Sequence, residues 1–127
     1  MDRFWLIVAS LNGFLAVAAG AFAAHALKPR LTNEALVIFE VGARYHMYHA
    51  LALLAVALVA ERWRTSTANA AGWAFLLGIA IFCGSLYALA LTDVKVKWLG
   101  AITPIGGLSF LVGWSLLALA AWRGPNS

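Results

Sequence analysis

The sequence predicts an all-α integral membrane protein whose four transmembrane helices form one compact antiparallel bundle. Of its 127 residues, 64% are hydrophobic and only 11% are charged, and the mean hydropathy is +0.87. A soluble domain of this length could not bury so much apolar surface or coat its exterior with so few charges. Polar segments divide the chain into apolar stretches of membrane-spanning length, so residues 1–127 are predicted to form a single membrane domain.

The first predicted span covers about residues 4–27, which is long enough for a hydrocarbon core of about 30 Å. A basic break follows, after which Thr32 or Asn33 stands in N-cap position for the second helix. That helix is longer than a bilayer requires. We therefore expect residues 33–44 to be a juxtamembrane extension and about 45–60 to be the membrane-embedded part.

The third span is predicted over about residues 68–91 and the fourth over about 103–122. Thr103 and Pro104 favour a helix start at this point, because proline is common at the first helical position after an N-cap residue. The basic residues on the two sides of the bilayer nearly balance, so the positive-inside rule assigns no orientation.

Small residues recur on single helix faces, which predicts close helix packing rather than a wide channel. Without a hydrophobic drive between helices in lipid, such faces allow the backbones to approach closely. The sets are Gly13, Ala16, Gly20 and Ala24 in the first span; Ala74, Gly78 and Ser85, with Ala80 and Gly84, in the third; and Gly106, Ser109 and Gly113 in the fourth.

The net charge of +4 comes from basic residues scattered over every polar break, and they form no stripe that could follow a phosphate backbone. This distribution suits anchoring to lipid headgroups, so the lipid bilayer is the expected partner and nucleic acid is not. Cys83 is the only cysteine and lies in an apolar stretch. It predicts neither an intramolecular disulfide nor a metal–thiolate site.

Most polar side chains within the spans are predicted to share one leaflet. Span direction alternates, so the end of the first helix, the start of the second, the end of the third and the start of the fourth meet there. Polar groups in lipid are costly unless satisfied, so this segregation indicates either a binding site or a network that locks the helices. The candidate binding residues are His25, Tyr45, Tyr48, His49, Ser85, Tyr87 and Thr103.

His46 and His49 are three residues apart on one helix face, and His25 should lie at similar depth on the first span. Imidazoles from two helices, His25 and His49, could hold a metal or a haem, although the favoured prediction is that no cofactor binds. Glu40 and Arg44 have the i,i+4 spacing of an ion pair and could also belong to a proton path. The sequence offers no nucleophile–base–acid set, so an enzyme has the least support.

Five motifs occur in order over nearly the whole chain: GAFAAHALK at 20–28, YHMYHALAL at 45–53, GSLY at 84–87, TPIGG at 103–107 and GW at 113–114. Together they resemble the bacterial membrane family called domain of unknown function 423, whose eukaryotic relatives are the transmembrane protein 256-like proteins. The resemblance implies a multi-pass protein of the bacterial inner (plasma) membrane with four spans and no established activity. Ala23 and His46 depart from the family pattern, which leaves His25 and His49 as the better pair.

Two hypotheses follow. In the first, the one-sided polar cluster binds or conducts a small ligand, a lipid headgroup or a proton, with His25 and His49 at its centre. In the second, the protein is an accessory or scaffold subunit, either self-assembled or docked on a larger membrane complex, and the polar cluster only joins its own helices.

Overall fold

The computed structural model describes residues 2–92 and 94–126, which are helical apart from short connections. Two helices continue directly into a π-helical turn, in which the backbone is locally wider than an α-helix. The elements are α1 (Arg3–Phe22) with the π turn Ala23–Leu27, α2 (Asn33–Trp63), α3 (Ser66–Gly78) with the π turn Ile79–Cys83, α4 (Gly84–Leu91), α5 (Lys97–Arg123) and a short 3₁₀ turn (Gly124–Asn126).

Within the described residues, four helical stretches are long and apolar enough to cross a membrane, and they confirm the predicted all-α, four-span class. We refer to them as the first to fourth spans: Arg3–Leu27, Asn33–Trp63, Ser66–Leu91 and Lys97–Arg123.

The second span is one unbroken helix with the predicted extension at its N-terminal end. Its 31 residues correspond to about 46 Å of helix, well beyond the hydrocarbon thickness of about 30 Å. Thr32 is the N-cap, since its hydroxyl accepts a hydrogen bond from the backbone N–H of Ala35 at 3.2 Å.

The predicted start of the fourth helix is wrong. α5 begins at Lys97, and both Thr103 and Pro104 lie inside it. The segment 97–102 is apolar enough to continue the helix outward, although Pro104 removes one backbone donor and crowds the carbonyl of Gly100. Thr103 is therefore not an N-cap, and its hydroxyl donates to the carbonyl oxygen of Leu99 at 3.0 Å, within the same helix.

The second span is the centre of the bundle. α1 packs along α2, which also contacts α3 and α4, and α3 packs along α5. In the α3–α5 interface, the predicted small residues admit aromatic rings. A Cβ at Gly113 would lie 2.6 Å from the ring of Phe75, and a Cβ at Gly78 or Gly106 would collide with Phe110 or with the backbone of Phe82.

The start of α1 is fixed to both neighbouring spans. The Asp2 carboxylate caps the helix by accepting from the N–H of Trp5, and the Asp2 N–H donates to the carbonyl oxygen of Ala57 on α2. The indole of Trp5 donates to the side-chain oxygen of Asn69 at 2.8 Å. Its ring fills the space beside Gly72, where a Cβ would lie 2.5 Å away.

Candidate functional site

A buried hydrogen-bonded chain joins three spans in the middle of the bundle. The Nε2 atom of His46 lies 3.0 Å from the side-chain oxygen of Asn12 on α1. The Nδ1 atom of the same ring lies 3.0 Å from the hydroxyl of Tyr87 on α4. We call Asn12, His46 and Tyr87 the polar chain. Because polar groups in an apolar interior need partners, this arrangement satisfies all three side chains at once.

The orientation of the Asn12 amide determines which atoms of the polar chain donate and which accept. The amide nitrogen of Asn12 donates to the carbonyl oxygen of Val8 at 2.9 Å, so the amide oxygen is the atom that faces His46. An amide oxygen only accepts, so the Nε2 atom of His46 must carry a hydrogen. In the neutral ring Nδ1 is then an acceptor, and it receives the hydroxyl hydrogen of Tyr87.

A groove runs over the polar chain, between α1 and α4 with α2 as its floor. Its volume is about 660 Å³. Leu15, Ala18 and Phe22 lie on the exposed side of α1, so the groove opens sideways toward lipid. We call it the lateral groove, and its lining consists of Leu15, Ala18, Ala19, Phe22, Phe39, His46, Tyr87 and Leu91.

The lateral groove is apolar except at one place. Of its lining side chains, only those of His46 and Tyr87 carry hydrogen-bonding atoms. Tyr87 is half-buried there, and its ring packs on Phe39 with the centroids 4.8 Å apart. The bond between Asn12 and His46 is buried, whereas the one between His46 and Tyr87 is only partly so. A molecule in the groove would therefore meet Tyr87 first.

His49 belongs to a second, separate cluster between α2 and α5. Its Nδ1 atom donates to the carbonyl oxygen of Tyr45 at 2.7 Å, one turn earlier. Its Nε2 atom accepts from the indole of Trp114 at 3.1 Å; indole is a donor only, so this nitrogen carries no hydrogen. The ring of Phe110 is stacked on the imidazole with the centroids 3.5 Å apart. Both nitrogens are thus engaged, and neither has a lone pair free for a metal or a haem.

A smaller aromatic pocket of about 350 Å³ lies beside this second cluster. Tyr45 and Tyr48 are exposed at its edge, and their rings lie 5.5 Å apart. Tyr45 also packs on Phe82 at 5.0 Å. The absence of a side chain at Gly107 leaves the space open on the α5 side.

Ser85 and Thr103 form a third polar contact, between α4 and α5. Their hydroxyl oxygens are 2.6 Å apart. Each hydroxyl also lies near a backbone carbonyl of its own span, that of Phe82 for Ser85 and that of Leu99 for Thr103. These two candidates therefore meet each other, away from the lateral groove.

The structure does not bring His25 and His49 together. His25 lies on the π turn Ala23–Leu27 and is exposed, whereas His49 is buried against α5. Within residues 2–92 and 94–126, no group of three or more His, Cys, Asp or Glu side chains could hold a metal ion. A cluster of all three histidines, which the sequence allowed, is not formed either, because His46 bonds to Asn12 and Tyr87 whereas His49 bonds to Tyr45 and Trp114.

The expected ion pair between Glu40 and Arg44 is also not formed. Both side chains are exposed on α2, and no salt bridge joins them in the described part of the chain. Exposed pairs at this spacing gain little energy and are easily replaced by solvent.

Sequence reasoning missed Asn12 and Trp114 and gave His46 too little weight. Asn12 is the only amide side chain in the first predicted span, and an amide far from both ends of a span is a signal of interhelical bonding. Trp114 was noticed only as part of a motif. Its role as a donor depends on how α5 is rotated, which composition does not reveal.

The comparisons with known proteins agree with the motifs. The family described as "Protein of unknown function (DUF423)" matches residues 19–107. The chain belongs to the DUF423 family. The matched range includes His46 and Tyr87 but stops short of Asn12 and Trp114. The family resemblance drawn from the sequence is thereby confirmed.

Curated relatives of this DUF423 protein are named as membrane proteins. "UPF0382 membrane protein YwdK" of Bacillus subtilis is 40% identical over 120 residues, which cover 94% of this chain and 96% of the relative. A "UPF0382 membrane protein" of Staphylococcus epidermidis is 44% identical over 121 residues, or 95% and 97% of the two chains. "UPF0382 membrane protein SAB0533" of Staphylococcus aureus is 41% identical over the same coverage. No solved structure matches the chain significantly.

Proposed function

We propose that this DUF423 protein is a non-enzymatic binding protein of the bacterial plasma membrane, and that its ligand is an apolar, lipid-like molecule held in the lateral groove. The groove itself carries the proposal, since about 660 Å³ of apolar space ends on two hydrogen-bonding side chains. Small-molecule sites typically combine roughly 300–1,000 Å³ of apolar pocket with a few placed polar groups.

The position of the lateral groove in the membrane favours a lipid-like ligand over a water-soluble one. The groove faces sideways from the first and third spans, where the surroundings are acyl chains, and its lining carries no charged side chain. A ligand dissolved in the bilayer enters such a groove without losing favourable contacts with water. Of the candidates predicted from the sequence, Tyr87 would contact this ligand. His49, Ser85 and Thr103 would hold the helices around it.

Photolabelling tests this proposal directly. The purified protein is placed in vesicles of phosphatidylethanolamine and phosphatidylglycerol with a hexadecanol analogue that carries a photoreactive diazirine near its hydroxyl end. Labelled residues are located by mass spectrometry. We expect saturable labelling of groove residues such as Ala19 and Leu91, above the labelling of exposed residues outside the groove such as Val17 and Leu58.

A matched pair of variants separates the groove from general contact with lipid. Ala18→Phe fills the groove, whereas Ala21→Phe adds the same ring on an exposed position of α1 that does not line it. Groove labelling should fall severalfold in Ala18→Phe and stay unchanged in Ala21→Phe. Equal labelling of groove and non-groove residues, unaffected by Ala18→Phe, would contradict the proposal.

An accessory role in a self-assembled or larger complex is the second candidate. The observation in its favour is the open face of α1, where nothing lies within 4 Å of a Cβ built at Gly13 or Gly20. Small residues of this kind allow another helix to approach closely. Native mass spectrometry of gently extracted protein would show a stable oligomer or complex, and Gly20→Leu would dissolve it if this face is used.

A further inference from the structure

At the polar end of the lateral groove, the oxygen of Tyr87 can accept a hydrogen bond from a ligand but cannot donate one. The amide of Asn12 is oriented by the carbonyl oxygen of Val8, and this orientation makes the Nδ1 atom of His46 the acceptor of the Tyr87 hydroxyl hydrogen. Tyr87 has one hydroxyl hydrogen, and it is already used. Its oxygen therefore has only lone pairs left to offer toward the groove.

From this we infer that the lateral groove selects lipid-like molecules that end in a hydroxyl group, such as a long-chain alcohol or an alkylated hydroquinone. The inference rests on the proposed function and specifies its ligand class. A ligand hydroxyl donates to the oxygen of Tyr87, while the bonds from Tyr87 to His46 and from His46 to Asn12 stay intact. The ligand then adds one bond and breaks none.

Ligands that only accept hydrogen bonds are disfavoured by the same network. An ether, ester or ketone would need the hydroxyl hydrogen of Tyr87 and would leave the Nδ1 atom of His46 without a donor. A buried acceptor that loses its partner is costly. Phosphate headgroups are disfavoured as well, since the groove lining contains no lysine or arginine to balance their charge.

The test is a competition in the photolabelling experiment with the photoreactive hexadecanol. Unlabelled hexadecanol should displace it from the groove at a concentration about fivefold to tenfold lower than hexadecyl methyl ether, the difference expected for one hydrogen bond. A second pair, an undecyl-substituted hydroquinone and its dimethyl ether, should show the same order. The two pairs together separate an aliphatic alcohol from a phenol as the preferred source of the hydroxyl.

Tyr87→Phe provides the decisive variant. It keeps the ring that packs on Phe39 and removes only the oxygen, but it also frees the Nδ1 acceptor of His46 in the groove lining, so it is combined with His46→Leu. In the double variant groove labelling should persist while the preference for alcohol over ether disappears. Equal competition by alcohol and ether in the unmodified protein would overturn this inference and leave groove binding intact. A preference that survives in the Tyr87→Phe, His46→Leu double variant would overturn it too. Failure of any saturable groove labelling would instead overturn the proposed function.

Discussion

His46 and His49 lie three residues apart on α2 and use the same ring atom in opposite ways. The Nε2 atom of His46 donates to Asn12 on α1, whereas the Nε2 atom of His49 accepts from Trp114 on α5. Three residues of helix correspond to about 300° of rotation, so the two side chains diverge by about 60° and reach different neighbours. Two neutral imidazoles of one helix thus bond to the first and the fourth spans.

The two histidines should be opposite tautomers. In the neutral protein, His46 should carry its hydrogen on Nε2 because Asn12 presents only an acceptor, and His49 should carry it on Nδ1 because Trp114 presents only a donor. Nitrogen-15 NMR of protein with labelled histidines distinguishes the two forms. His25, which is exposed, provides an internal reference for a ring without a fixed tautomer.

Assignments for this experiment come from single substitutions. Asn12→Leu should alter the signal of His46 and leave that of His49 unchanged. Ser10→Ala is the matched control, since the hydroxyl of Ser10 is exposed and bonds only to its own helix at Leu6. The same tautomer at both histidines would contradict the hydrogen-bonding scheme.

The bond between His49 and Trp114 should contribute measurably to stability. Trp114→Phe leaves the Nε2 atom of His49 without a donor, and the free energy of unfolding should fall by about 1 kcal/mol. A double-mutant cycle with His49→Leu should give a coupling energy of about 0.6 kcal/mol, the typical value for interhelical hydrogen bonds in membranes. Thermal unfolding in detergent micelles measures both. Trp122→Phe, at a position 89% exposed, should have no effect, and an equal loss there would count against the bond.

Gly106 should tolerate no side chain, although the adjacent glycine does. A Cβ at Gly106 would collide with the backbone of Phe82, so Gly106→Ala must push α5 away from the third span. We expect a loss of about 1–3 kcal/mol, as for overpacked cores. At Gly107 the nearest atoms lie 3.8 Å from a built Cβ, so Gly107→Ala should be neutral. Equal melting temperatures for the two variants would contradict the close approach of Gly106 to Phe82.

The π turn Ile79–Cys83 should take up one extra residue without redirecting Tyr87. A π turn holds more residues per turn than an α-helix, so deleting the exposed Ala80 should convert it to an α-helix and keep Tyr87 beside His46. Inserting one alanine between Leu86 and Tyr87, in regular helix, should instead turn Tyr87 by about 100°. The NMR signal of the His46 ring should survive the deletion and change with the insertion. If the deletion also changes it, the π turn sets the direction of Tyr87.

The sequence determines the spans because hydropathy alone reports which segments lipid can solvate. The small residues of the third and fourth spans were also informative: Gly78, Gly106 and Gly113 each accept a phenylalanine where the helices cross. The start of α5 was not predictable from Pro104. A proline at the eighth residue of a helix removes one backbone donor and crowds the carbonyl four residues earlier, yet the apolar residues on its N-terminal side continue the helix here.

The pairing of the polar side chains lay beyond the sequence for a geometric reason. His25, His46 and His49 fall near one another in the chain, but each contact depends on helix rotation to within a fraction of a turn. The π turn Ala23–Leu27 changes the direction of the His25 side chain around the helix axis, and no residue pattern predicts this turn. Asn12 and Tyr87 were visible as polar residues in apolar segments, yet their meeting at His46 required the packing of three spans.

The attachment of α1 at its start has a mechanical consequence for the lateral groove. Trp5 is clamped between Asn69 and Gly72, whereas further along α1 the lateral groove separates Phe22 from Leu91 on α4. α1 is therefore held at its N-terminal end by the indole of Trp5, and the lateral groove lies toward its C-terminal end. A tilt of α1 about Trp5 would widen the lateral groove for a larger ligand. The contact between α3 and α5, where Ser109 bonds to the carbonyl oxygen of Ala74, would stay intact.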